Sequence, residues 1–360
     1  MRHGAFRHGL ILSLLVSTLV GAPGSALAET SPRAAIASQA IEKVIRPGYE
    51  RLDKAGEAEA KAFDTLCAKP DEAALVAARQ SFGELAQAFG AVEFITFGPI
   101  AEGSRLERYL FWPDRRGAAQ RQAQIIVNRR NADAATSDLL PRQSVAVQGL
   151  TALEYVLFGA GSDNLTSQAG AFRCRYGATI VGNLGQISDA VAEQWRNPNG
   201  FAGRLTQPKT SDPVFRSPDD VLALFLTTTV RGLDEIGDTR LAPGLAASQG
   251  ETPSNLFLFG RSGHDTAMLV ADIEGLRALL AQSGLLALTP GLSLSPDTEL
   301  GAVAVSIRSL GPDLGSVVQT KEGRAKLAAA LERIKAVRVV LADELAPALG
   351  LRIEAARAAP

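Results

Sequence analysis

Apolar residues recur along this chain at intervals of three and four and almost nowhere at intervals of two, which predicts an all-α protein. Ser31-Pro32 reads as an N-cap and first helical position, followed by Ile41, Ile45, Tyr49 and Leu52 at helical spacing. Pro47 is expected to kink or break that helix. Asp71-Glu72 opens a second helix, striped by Leu75, Phe82, Leu85, Phe89 and Val92 and stopped by Gly98-Pro99. A short aromatic segment, Leu106 to Pro113, precedes a helix from Gly117 to about Asn131. Ser144 to Phe158 is predicted as one helix, apolar around most of its circumference and so placed in the core. Phe172, Tyr176, Ile180, Leu184, Ile187, Val191 and Trp195 mark a long amphipathic helix.

The polar, proline- and glycine-bearing stretch 197–213 is the expected domain boundary. Beyond it, Ser217-Pro218-Asp219-Asp220 is a strong helix start, with acids facing the positive end of the helix dipole. Helices are then predicted through Leu224 to Ile236, Thr266 to Gln282, Leu300 to Leu310 and Thr320 to Leu349, with a loop at Thr289 to Pro296. The expected architecture is two helical bundles packed side by side with a pocket between them: residues 29–208 and residues 209–360.

Residues 1–28 read as a secretion signal. Arg2 and Arg7 give a positive start, Leu10 to Val20 is an apolar run too short to span a membrane, and Ala26-Leu27-Ala28 is a small-x-small cleavage site. The mature chain is expected to begin at Glu29, without a membrane span, as a periplasmic protein. Losing two arginines takes the formal charge from −1 to −3, which argues against nucleic acid as a partner. The two cysteines, Cys67 and Cys174, pair most economically as a disulfide in an oxidising compartment; the alternative is two separate buried thiols. Of three histidines only His264 lies beyond the signal, so no zinc site built on several histidines can form within the chain. His264 itself is read as a surface or capping residue, and Trp112 and Trp195 as core or interface aromatics.

The richest chemistry lies in Gly149-Leu150-Thr151-Ala152-Leu153-Glu154. Thr151 and Glu154 are three apart and share a helical face. A glutamate on so apolar a helix is either paired or has a raised pKa. Gly149 suggests the close approach of another helix or a ligand. The segment resembles the signature of the imelysin family, Gly-x-His-x-x-Glu, with Gly149 and Glu154 matching and Thr151 standing where the histidine would be. Glu93-Phe94-Ile95-Thr96-Phe97-Gly98-Pro99, Glu107-Arg108, Phe111-Trp112-Pro113-Asp114, Phe172-Arg173-Cys174 and Leu258-Phe259-Gly260-Arg261-Ser262-Gly263 are similar too, so the resemblance runs over nearly all the mature chain. It implies a two-domain helical envelope protein linked to iron acquisition; some members have been called metallopeptidases.

The candidate ligand-binding residues are Glu154, Thr151, Glu93, Asp114, Arg261 and Arg108. Glu93 has two readings: an exposed flank residue, or a second carboxylate in one pocket with Glu154, which would suit iron or another hard divalent or trivalent metal. Asp114 has a second reading as a helix cap, and Arg108 and Arg261 as counter-ions that would leave no metal site. Arg231, Glu235 and Asp238 read as a solvated ion-pair row on one helix face. Threonine is a poorer metal ligand than imidazole, and there is no His-Glu-x-x-His, so catalysis is not expected. The functional expectation is a non-catalytic binding protein for a metal ion, an iron complex or an iron-handling envelope partner; the alternative is an interaction module without a ligand of its own.

Overall fold

The computed structural model describes residues 31–114, 116–247 and 256–353, together with 1, 3 and 4. The apolar run of the expected signal and its cleavage site lie outside the described residues. Every regular element among the described residues is helical. The α-helices are α1 (Pro32–Ala40), α2 (Arg46–Ala68), α3 (Glu72–Glu93), α4 (Arg105–Tyr109), α5 (Ala118–Arg129), α6 (Leu150–Phe158), α7 (Ala171–Arg196), α8 (Phe201–Thr206), α9 (Pro218–Asp234), α10 (Ala242–Ala246), α11 (Asp265–Gln282), α12 (Pro296–Arg308), α13 (Leu314–Val317), α14 (Lys321–Val339) and α15 (Ala346–Ala348). No helix among the described residues is long and apolar enough to cross a membrane.

The break expected at Pro47 does not occur. Helix α1 runs on into α2 through a π-helical turn at Ile41–Ile45. The same device recurs at Glu235–Leu241, between α9 and α10, and at Val340–Leu345, between α14 and α15. In each case a proline stands two residues past the turn: Pro47, Pro243 and Pro347. A proline ring collides with the carbonyl four residues back and offers it no N–H. That carbonyl belongs each time to the π turn, whose extra residue moves it aside.

Pro32–Pro360 forms one compact unit, and helices from both sides of residue 208 share one continuous core. Helix α3 packs on α2 and on α11; α2 packs on α7, α11 on α12, and α12 on α14. Two glycines let α3 and α11 approach closely. A Cβ on Gly275 would stand 2.4 Å from the Ala91 carbonyl oxygen, and one on Gly90 would stand 2.8 Å from the Met268 sulfur. The stretch expected as a boundary is fastened down: α8 sets Phe201 edge-on to the buried Trp195, and Arg204 makes two hydrogen bonds to Asp212. Cys67 and Cys174 form the disulfide, joining the end of α2 to the start of α7 with 5.7 Å between Cα atoms.

The helix expected from Ser144 to Phe158 is divided. A single 3-10 turn, Val145–Val147, precedes the N-cap Gly149, and α6 starts at Leu150. The physical reason is crowding. A Cβ on Gly149 would stand 2.4 Å from the Tyr109 carbonyl oxygen, so the close approach is made by backbone.

Candidate functional site

Helix α6 is buried along almost its whole length, so Glu154 carries its carboxylate into the interior with 6 % of its surface exposed. Its donors come from the loop before α11. Oε1 accepts from the Ser262 backbone N–H at 3.0 Å and from the Ser262 hydroxyl at 2.9 Å, and Oε2 accepts from Arg261 Nη1 at 3.3 Å. Arg261 Nη2 also donates to Gln120 Oε1 at 2.7 Å, and its guanidinium lies 5.9 Å from the Tyr155 ring centre. Burial pushes the Glu154 carboxyl up, opposed by the Arg261 charge and by the Ser262 donors. The loop needs such a fastening. Phe259 and Gly263 both take left-handed backbone conformations, φ 61° and 70°, and a non-glycine residue adopts that region at a cost.

Glu154, Thr151, Asp114 and Arg261 border one cavity of about 640 Å³, with Trp112, Gln120, Arg121, Asp238 and the Leu256–Phe259 stretch completing most of its wall. These residues come from both sides of position 208. Asp114 serves as both wall and cap: its carboxylate oxygens accept from the Ala118 and Ala119 N–H groups at 2.6 and 2.8 Å, opening α5. Two polar atoms of the wall are buried without a partner, Thr151 Oγ1 and Trp112 Nε1. Leaving such a group unsatisfied costs about 1–3 kcal/mol. The half-buried Trp112 borders both this cavity and a smaller one lined by Glu93, whereas Trp195 is core as expected.

Glu93 does not join Glu154. It borders a separate cavity of about 350 Å³ with Glu235, Arg231 and Asp272, and pairs with Arg240. Arg240 Nε lies 3.9 Å from Glu235 Oε1. Burial, and then the Glu93 charge, push Asp272 well above the ordinary carboxylate range. Arg108 is likewise no partner of the candidate acids. Its Nε donates to Gln148 Oε1 at 3.0 Å, and its Nη2 donates to Asn183 Oδ1. The expected row of Arg231, Glu235 and Asp238 is broken by the π turn, which gives Glu235 to the smaller cavity and Asp238 to the larger. His264 takes the N-cap position of α11, as one of its two readings expected, though without a side-chain capping bond, and it is not a surface residue. Its ring is half-buried between Phe82 and Phe158, against Gly83, and burial pushes its pKa down.

Ser262, Arg240 and Asp272 were not singled out by the sequence. The demand on Ser262 was nonetheless written there, because a glutamate on an apolar helix must find donors. Arg240 had no such signal: five residues from Glu235, it faces away on an α-helix and meets it only in a π turn.

The donor set around Glu154 does not fit a resident metal ion. Both carboxylate oxygens already accept hydrogen bonds, a guanidinium holds the cation position, and Thr151 adds only a neutral hydroxyl. No group of three or more His, Cys, Asp or Glu residues converges among the described residues.

The chain is thus an all-helical body with a polar-walled cavity lined by residues from both sides of position 208. The family model described as imelysin (peptidase M75) matches residues 45–341, and the chain belongs to that family. An imelysin-like protein from Psychrobacter arcticum superimposes with a TM-score of 0.70 at 18 % identity, covering 96 % of this chain and 100 % of that one. A "putative iron-regulated protein A precursor" from Parabacteroides distasonis gives 0.72 at 15 % identity, over 88 % and 96 % of the two chains. No curated protein matches by sequence.

Proposed function

We propose that the protein is a non-catalytic periplasmic component of iron uptake that receives iron wrapped in an organic chelator, in the cavity beside Glu154. The observation that carries this reading is the division of labour in the wall. Glu154 is saturated by Arg261 and Ser262, while Thr151 Oγ1 and Trp112 Nε1 are buried without partners. A bare ion would have to strip the donors from Glu154. A chelate supplies its own iron ligands and offers acceptor oxygens to the unpartnered groups. A cavity of about 640 Å³ is the size of a small organic ligand. The secretion signal read from residues 1–28 of the sequence and the Cys67–Cys174 disulfide support the periplasm, and envelope proteins that deliver or collect the complex are the expected partners. The iron-regulated name of the Parabacteroides neighbour supports the setting.

Calorimetric titration of the chain from Glu29 onward tests the proposal, using ferric citrate beside ferrous, zinc, manganese and calcium salts. Saturable binding of ferric citrate, with no binding of the bare ions, is expected. Tight binding of a bare ion, abolished in Glu154→Ala, would show that the carboxylate is a metal ligand after all.

A further inference from the structure

The cavity wall is unusual in what it leaves on offer. Its acids are occupied: Asp114 accepts two backbone N–H groups, and Glu154 accepts from Ser262 and Arg261. Among the described residues of the wall, only Asp238, exposed at the edge, bears a carboxylate without such donors. Donors, by contrast, remain. A guanidinium has five N–H groups, and Arg261 spends two of them on Glu154 and Gln120. The Trp112 indole can only donate, and its nitrogen is buried and unpartnered. The Thr151 hydroxyl is likewise buried and unpartnered, on a residue 9 % exposed. A wall of this kind asks for an acceptor-rich anion, and the planar fork of an arginine matches a carboxylate.

We infer that the cavity recognises its ligand through a carboxylate group, received by Arg261, Thr151 and Trp112, with Glu154 acting as a positioning residue that aims Arg261. This deepens the reading above and rests on it. The chelator is the recognised part, so it binds with or without iron, and the iron it carries is not ligated by the protein. Glu154 does two things in this scheme: it holds the guanidinium at the wall, and through Ser262 it pins the loop that brings the guanidinium there.

The test is a set of titrations on the full mature chain with iron-free citrate, ferric citrate and ferric maltolate, the last a chelate without carboxylates. Both citrate forms are expected to bind with similar affinity and ferric maltolate not to bind. Arg261→Met is expected to weaken citrate by about a hundredfold, since it removes a charged partner. Thr151→Val and Trp112→Phe are each expected to weaken it by about tenfold while conserving shape, which keeps the test valid should the Arg261 variant disturb its loop. Glu154→Gln is expected to weaken citrate in the wild-type background and to add nothing in the Arg261→Met background. A residue that merely stabilised the fold would act in both backgrounds. If ferric maltolate binds and citrate does not, or if citrate binding is indifferent to all three donor variants, this inference fails while the binding-protein reading stands. If none of the complexes binds, both fall.

Discussion

Glu154 and Glu59 show two ways for a buried carboxyl to exist on a helix. Glu154 meets an arginine and a serine from a distant loop. Glu59, on α2, is fully buried, and neither of its oxygens has a hydrogen-bond partner. Burial therefore pushes the Glu59 carboxyl up to about 8, and it pushes Asp265, at the first position of α11, up to about 7. Both groups hold a proton in the folded protein at pH values where the unfolded chain has released it. With more protons bound to the folded state, stability falls as pH rises from the ordinary carboxylate range toward 8, then levels off. The unfolding free energy from urea denaturation is expected to drop between about pH 5 and about pH 8, by roughly 6 kcal/mol. Glu59→Gln is expected to flatten that slope and to stabilise the protein at the alkaline end; an unchanged slope would mean that Glu59 is ionised in the folded state. The sequence made the Glu154 problem legible, because Leu150, Leu153 and Leu157 surround it on a plainly apolar helix. Glu59 gave no such sign. It stands in a segment with charged neighbours on both sides, and only the packing of α2 against α3 and α7 turns its face inward.

The elements follow the periodicity closely where a helix is straight. The stripes read for α3 and α7 are the buried faces of those helices. The places where the reading and the structure part company are turns of non-standard pitch. A π turn is not encoded by a composition or a spacing; it is the accommodation a helix makes when a proline must be kept and packing on both sides holds the axis. It changes which residues share a face, which explains why Arg231, Glu235 and Asp238 do not form one row and why Arg240 reaches Glu93. The glycine at 149 was legible as a close approach, but the approaching partner, the backbone at Tyr109, was not. The close crossing of α3 and α11 at Gly275 carries an expectation of its own. A methyl group there meets the Ala91 backbone rather than a movable side chain, so Gly275→Ala is expected to force the helices apart and to cost about 1–3 kcal/mol. Thermal unfolding of the variant measures this. An unchanged midpoint would show that the crossing has room to spare.

Across the whole molecule, the continuous core ties the two halves of the chain into one compact unit and places the cavity where segments from both halves meet. Residues 112–154 bring the unpartnered donors and the carboxylate, while residues 238–261 bring the arginine and the aromatic loop. The pairing of Glu154 with Arg261 spans 107 residues, and that separation is why sequence could name both residues and still leave metal ligand and counter-ion as equal readings. The same separation hid the divorce of Glu93 from Glu154, since nothing in a linear pattern states which cavity a helix end borders. The central claim is that iron enters this cavity inside a chelator and is not held by Glu154. The most direct measurement is a crystal structure of the mature protein with ferric citrate, with anomalous data collected at the iron absorption edge. The account expects one iron peak in the cavity near Trp112, Thr151 and Arg261, with the citrate carboxylates between the metal and the protein and the Arg261–Glu154 pair intact. An iron peak bonded directly to a Glu154 oxygen, with Arg261 swung away, would contradict it.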